Sequence, residues 1–230
     1  MKKLLIIVLS FSILVGCRYR KGSGNIVTER RNTASFTGLS VGGGFDVEIK
    51  SGPPEVLVEA DDNIIKFIET IVVGGELKIR LDHINLRNAH LKVYITAPEL
   101  NSIKSSASAK IEAIDVLKSE KGISLQSSSG SEIKAELEAP EITAHASSGG
   151  ELNLSGRTRD LNAESSSGST INAKSLLSEH TIVSASSGAS ADVHASLTLD
   201  ASASSGANVT YRGAANVKKS VSSGGEVEKE

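Results

Sequence analysis

A serine pair closed by a small residue returns seven times between residues 105 and 224 of this 230-residue chain. Anchoring on the closing residue gives Ala107, Gly130, Gly149, Gly168, Gly188, Gly206 and Gly224, with steps of 23, 19, 19, 20, 18 and 18 residues. A unit of this size buries too little apolar surface to fold alone. Units repeated at a fixed short period become stable by stacking each on the next, so the repeat specifies a solenoid.

The residues around each anchor identify the unit. Three positions after it come Ile133, Leu152, Ile171, Ala191, Val209 and Val227, and five after it Ala135, Leu154, Ala173, Val193 and Tyr211. Lys134, Asn153, Asn172, Asp192 and Thr210 lie between them. This period-two alternation is a strand. A second strand enters each anchor, with Leu125, Ala144, Ala163, Val183 and Ala201 as inward positions. Polar connections such as "EAPE" at 138 and "GRTRD" at 156 follow. No segment carries a helical apolar stripe. The expected fold is therefore an all-β parallel β-helix with rungs of about 19 residues, right-handed because parallel crossovers are overwhelmingly of that hand. Inward alanines and an aromatic content of 3 %, with no tryptophan, point to a thin interior. The glycines Gly130, Gly149, Gly168, Gly188, Gly206 and Gly224 are expected to take positive φ at structural corner turns. Alternation points the first serine of each pair outward and the second inward, where its hydroxyl would bond a neighbouring rung.

The first half reads differently. Residues 24–104 carry longer apolar strands with Gly- or Pro-marked turns, such as "FDVEIKSG" at 45 and "KFIETIVVGGELKIRL" at 66. They are expected to form wider rungs or a cap that covers the solenoid's open edge. Ahead of them, Lys2 and Lys3 precede an apolar run from Leu4 to Val15, too short to span a bilayer comfortably, that ends in "LVGC" with the chain's only cysteine. This pattern resembles the bacterial lipoprotein signal, which implies cleavage before Cys17 and its lipidation. The organisation read from sequence is a signal peptide at 1–16, lipidated Cys17 and a tether at 17–23, wider rungs or cap at 24–104, and Ser-Ser-Gly repeats at 105–230. The membrane is then a partner through the N-terminal lipid.

Charge and motif content exclude several functions. The formal net charge is −2, and Lys and Arg form no stripe interleaved with aromatics, which argues against nucleic acid. "GLSVG" at 38–42 matches the nucleophile-elbow pattern, but the elbow needs a helix after its serine and a strand follows Ser40 here. His83, His90, His145, His180 and His194 show no ligand spacing, and His145 and His194 fall at outward positions. Glu132, Glu151 and Glu226 occupy one rung position that elsewhere holds Thr170, Ser190 and Asn208, an interrupted ladder unsuited to Ca²⁺. "ADDN" at 60–63 reads as a turn. The best carboxylate–guanidinium cluster is Arg157, Arg159 and Asp160, on one connection only. Tyr94 and Tyr211 are the available aromatic platforms, while Phe36, Phe45 and Phe67 look like core. The expectation is a protein that is not an enzyme and uses no metal or cofactor.

The segments "GSGNIVTERRNTASFTGLSVGGGFDVEIKSG", "VEADDNIIKFIETIVVGGELKIRL" and "VYITAPELNSIKSSASAKI", with the Ser-Ser-Gly returns, resemble the GIN domain, a family named as an autotransporter-adhesin head. The likeness runs over about residues 24–220. It implies an all-β, β-helical fold common in lipoproteins and secreted proteins of Bacteroidetes, and it brings no catalytic residues or settled ligand. The expected function is a non-catalytic, lipid-anchored cell-envelope binding module, adhesin-like, on the outer membrane, presenting a polar face to a glycan or envelope protein. The alternatives are a structural or assembly protein of the envelope and a carbohydrate-active enzyme.

Overall fold

The computed structural model describes residues 19–82 and 84–230. The segment 1–16 expected to be a signal peptide, Cys17 and His83 lie outside the described residues.

Among the described residues, nine strands stack in parallel register on one face of a solenoid. They begin with Glu76–Leu81, Gly38–Gly42, Ser102–Ser106 and Ile123–Ser128. Next come the second halves of the long strands Glu132–Ser147, Glu151–Ser165 and Thr170–Ala185, and last Thr198–Ala203 and Asn216–Val221. A second face stacks Leu91–Ala97, Asp46–Ser51, Lys110–Ala113, the first halves of the long strands, Ser190–His194, Asn208–Arg212 and Glu226–Lys229. The long strands bend between the two and so create a third, narrow face. Among the described residues the only helical element is the 3₁₀ turn Ile65–Phe67.

Register follows the sequence period. Ile142 pairs with Leu161, Leu161 with Thr181 and Thr181 with Leu199, so like positions stack at steps of 19, 20 and 18 residues. The columns Ile133-Leu152-Ile171-Ala191-Val209 and Leu125-Ala144-Ala163-Val183-Ala201 are fully buried. Burying a Val, Leu or Ile side chain is worth about 1.5–3 kcal/mol. The alanine columns contribute less per residue but allow opposing walls to close, which is why this core has no room for large rings.

Each corner is a two-residue turn in which both residues are left-handed. Ser129, Ser148, Ser167, Ser187, Ser205 and Ser223 have φ of 48–54°, and the glycines that follow have φ of 69–74°. The turn closes with a backbone bond, as from Ser131 N–H to Ser128 C=O at 3.3 Å and from Gly150 N–H to Ser147 C=O at 2.9 Å. Two consecutive positive-φ residues with this bond form a type I′ turn. Each corner glycine N–H also donates to the corner serine carbonyl of the next rung, at 3.1–3.2 Å from Gly130 through Gly206.

Two sequence expectations change here. In the six Ser-Ser-Gly corners the second serine is exposed, not inward. It sits at the tip of the turn, where two left-handed residues interrupt the strand alternation. The inward positions are the residue before the pair and the residue after the glycine: Ser127 and Ser131, Ala146 and Gly150, Ser165 and Ser169, Ala185 and Ala189. The hydroxyl contacts are made there. Ser127 and Ser131 Oγ are 2.9 Å apart, and Ser131 Oγ donates to Ser105 C=O of the previous rung at 2.8 Å. Ser165 and Ser169 repeat the contact at 2.9 Å, and Ser169 donates to Ala146 C=O at 2.8 Å. The first anchor also shifts by one. Ala107 and Ser108 have φ of 50° and 64°, so Ser108 occupies the glycine position of that corner.

The N-terminal half is both rung and cap. Gly38–Gly42 and Asp46–Ser51 form the first rung, and the chain then leaves to build a lid before rejoining the stack at Ser102. Glu76–Leu81 and Leu91–Ala97 cover that rung in parallel register. Antiparallel strands Ile68–Val73, Glu55–Asp61 and Ile26–Arg30 close the outside. Phe36 and Phe45 are buried here among Leu39, Ile49, Leu77 and Ile79, although the strands, of 5–7 residues, are not longer than those of the repeat. Tyr19–Lys21, within the tether expected from sequence, form a strand that pairs with Asn85–Arg87.

Candidate binding groove

The third face carries a groove of about 1060 Å³ that crosses successive turns at 118–121, 138–140, 157–159, 177–179 and 194–196. Local sequence shapes it. Pro140 supplies no N–H at its bend. Gly156 bends with φ 110°, and a Cβ there would lie 2.1 Å from Leu137 O. Ala139, Thr158 and Ser178 stack in one buried row along the floor. The neighbouring outward row is Lys118, Glu138, Arg157 and Leu177.

The charges on the rim pair with one another. Glu138 accepts from Lys118 Nζ at 3.0 Å and from Arg157 at 2.5 Å. Hydrogen bonds from Lys118 first and then Arg157, with the charge of both cations, hold its carboxyl below the usual carboxylate value. Arg159 Nε bonds Asp160 at 2.7 Å, which raises the guanidinium further above its already high value. Asp160 faces away from the groove, in a second hollow with Glu141 and His180. The Arg157, Arg159 and Asp160 cluster is therefore divided between two surfaces. A general acid for glycoside cleavage needs a raised carboxyl pKa, and the shift at Glu138 has the opposite sign.

His194 also lines the groove. Alternation put it outward, yet it is half-buried, and its Nδ1 is buried with no hydrogen-bond partner. Its carbonyl accepts from Ser178 Oγ and, at 2.9 Å, from Thr181 Oγ1. The signal that could have marked it is Gly213. That residue has φ 104°, and a Cβ there would lie 2.0 Å from Ala195 O and 3.3 Å from His194 Nε2. The last turns thus close tightly over the imidazole.

The other candidates are dispersed. Ser40 sits in mid-strand between Lys78 and Lys104, with no helix after it. His90 lies 2.7 Å from Glu59, His145 3.5 Å from Glu164 and His180 2.8 Å from Thr198. Glu132, Glu151, Thr170, Ser190, Asn208 and Glu226 do form one column, interrupted as the sequence implied. Among the described residues no group of three or more His, Cys, Asp or Glu could hold a metal. Asp61 and Asp62 of "ADDN" form a latch. Buried Asp61 accepts from Gly24 N–H at 2.6 Å and His90 N–H at 2.7 Å. Asp62 accepts from Ser23 and Asn25, and these bonds, Ser23 first, lower its pKa. Tyr211 is buried under Lys219 and offers no platform, and Phe67 is half-exposed, outside the core.

A capped parallel β-solenoid with a lateral groove defines the class. The family model described as "Putative auto-transporter adhesin, head GIN domain" matches residues 35–215, and the chain belongs to that family. Its fold is similar to that of a "putative adhesin" from Bacteroides fragilis, with TM-score 0.83 and 18% identity over 92% of this chain and 100% of that one. A "putative lipid binding protein" from Parabacteroides distasonis gives TM-score 0.75 and 19% identity over 93% and 100%. A "putative adhesin" from Parabacteroides merdae gives 0.75 and 18% over 92% and 99%. Comparison with curated proteins gives no match.

Proposed function

We propose that this protein is a non-catalytic binding module of the cell envelope, adhesin-like, anchored by lipid on Cys17 and using the third-face groove to hold a glycan or protein chain. The observation that carries the proposal is the groove itself, which is open and continuous across five turns and has a hydroxyl-bearing floor and a rim of mixed charge. An extended polar ligand fits such a surface, because each rung repeats the same position at about 4.8 Å. A polyanion fits poorly, since Glu138 engages Lys118 and Arg157, and Asp160 engages Arg159. Family membership supports a surface location.

The test is a binding screen of residues 18–230 against a glycan array and purified envelope fractions. The expected outcome is a saturable hit that weakens at least fivefold when Arg157 and Arg159 are both changed to Glu. A hit unaffected by that change would move the site elsewhere. A clean negative, together with a mass by light scattering that rises with concentration, would favour the assembly role.

A further inference from the structure

The residues next to Cys17 form a built surface. Tyr19–Lys21 pair in parallel with Asn85–Arg87 as a two-stranded ribbon separate from the main sheet. Lys21 and Arg87 are register partners and line one concavity with Tyr19. On the other side of the ribbon Arg20 lies 4.6 Å above the Phe67 ring, and Lys66 shares that ring at 5.4 Å. Tyr19 is 64% exposed, and all four cations are exposed. The acidic groups nearby are already engaged. Asp61 is buried under backbone N–H groups, Asp62 accepts from Ser23 and Asn25, and Asp82 has an interaction of its own. None of the four cations enters an ion pair with Asp61 or Asp62.

We infer that this ribbon docks the cap flat on an anionic phospholipid surface, so that the protein stands on its membrane instead of swinging from a stalk. The inference rests on the lipid-anchor reading of Cys17. Two residues of chain reach about 7 Å. That places Tyr19 and its neighbours within the ~8 Å over which membrane charge is felt at physiological salt. Lys and Arg complement lipid phosphates, and an exposed tyrosine suits the headgroup level. The Asp61 and Asp62 latch fixes residues 23–25 to the cap. It also explains Gly22, where a Cβ would lie 2.3 Å from Asp61 Oδ2. The stack then leads away from the bilayer. Nine strands at ~4.8 Å put the last one about 38 Å from the cap layer.

The test uses the full chain, processed in a bacterial host and reconstituted in vesicles of phosphatidylglycerol and phosphatidylcholine or of phosphatidylcholine alone. A fluorophore is placed on Asn85→Cys in the ribbon or on Asn216→Cys in the last strand, with a quencher on the lipid headgroups. Mass spectrometry reads acylation of Cys17 separately. In the anionic vesicles the Asn85 label should be quenched at least twofold more than in phosphatidylcholine, and the Asn216 label should not be quenched. Charge reversal at Lys21 and Arg87, or independently at Lys66, should reduce the Asn85 quenching while the protein stays on the vesicle. An acylated, vesicle-bound protein whose Asn85 label behaves like Asn216 overturns the docking and leaves the anchor standing. If Cys17 carries no acyl chain the anchor reading fails. Docking is then read from sedimentation with anionic vesicles: salt-sensitive binding supports it, and absence of binding overturns it.

Discussion

Two neighbouring glycines at one corner have different reasons to be glycine. Gly149 has φ 72° with open space around it, whereas Gly150 has no positive φ, but a Cβ there would lie 2.3 Å from Ser127 O. The first constraint is conformational and the second is steric, set by a backbone that cannot retreat. Gly188, equivalent to Gly149, has φ 70° and open space. A valine there should cost about 1–3 kcal/mol through backbone strain. Gly150→Ala should cost a similar 1–3 kcal/mol through overpacking. The two separate in a rescue experiment by urea unfolding. Ser127→Gly leaves the Ser127 carbonyl in place and should not rescue Gly150→Ala. Gly188→Asn should recover most of the stability lost in Gly188→Val, because asparagine tolerates the left-handed region. The glycine corners were legible because glycine, the residue that takes positive φ at no steric cost, recurs at that period. The left-handed serines beside them were not, because serine has no sequence preference that marks positive φ. The twin left-handed turn became visible with the backbone, and it moved the inward hydroxyls to Ser127, Ser131, Ser165 and Ser169.

Within a rung, those hydroxyls form a closed unit. Ser131 Oγ contacts Ser127 Oγ, donates to Ser105 C=O and accepts from Ser128 N–H at 3.0 Å. Removing either hydroxyl costs the other one buried contact but leaves it its backbone partners, at about 0.5–1.5 kcal/mol. The rung at Ala185 and Ala189 holds the same two positions with no hydroxyl. Ser127→Ala and Ser131→Ala should therefore each destabilise, while the double variant should cost clearly less than their sum in a double-mutant cycle. Strict additivity would show that the two hydroxyls act separately. The last rung carries the opposite case. Glu228 raises the pKa of Glu226, first through a shared hydrogen bond and then through like charge. A raised folded pKa favours the protonated form, so the associated stability is present at low pH and lost as pH rises through that folded value. Glu226→Gln should slow amide exchange over residues 226–229 at pH 7 and change little at pH 4. Equal effects at both pH values would exclude the carboxylate pair as the cause. Thr181 and Ile182 show how register outweighs hydrophobicity at this scale. Alternation through Val183 and Ala185 turns Thr181 inward, where it is 2% exposed, and leaves Ile182 59% exposed.

For the whole molecule, the solenoid and its thin core follow from period and alternation alone, because stacking is the one way such short units bury their inward residues. The groove does not follow from them. Its walls come from connections that the repeat leaves unconstrained, "EAPE" and "GRTRD", and its depth depends on Gly156 folding against Leu137 O. Sequence reasoning could see Arg157, Arg159 and Asp160 as neighbours in the chain. It could not see that Asp160 turns to the first face while Arg157 joins Lys118 and Glu138 across three rungs. That arrangement separates stability from binding. The ion pairs are exposed, and exposed pairs contribute little to folding. Glu138→Gln should leave the unfolding midpoint nearly unchanged and release Lys118 and Arg157 from their shared partner. With the rim no longer neutralised, affinity for an uncharged glycan should fall and binding of sulfated or phosphorylated chains should rise, the latter weakening steeply with salt. Measuring both ligand classes on the intact and Glu138→Gln proteins at two salt concentrations decides the matter. If affinities and salt slopes are the same in both proteins, the groove rim does not select the ligand, and the outward rows of the two broad faces become the place to look.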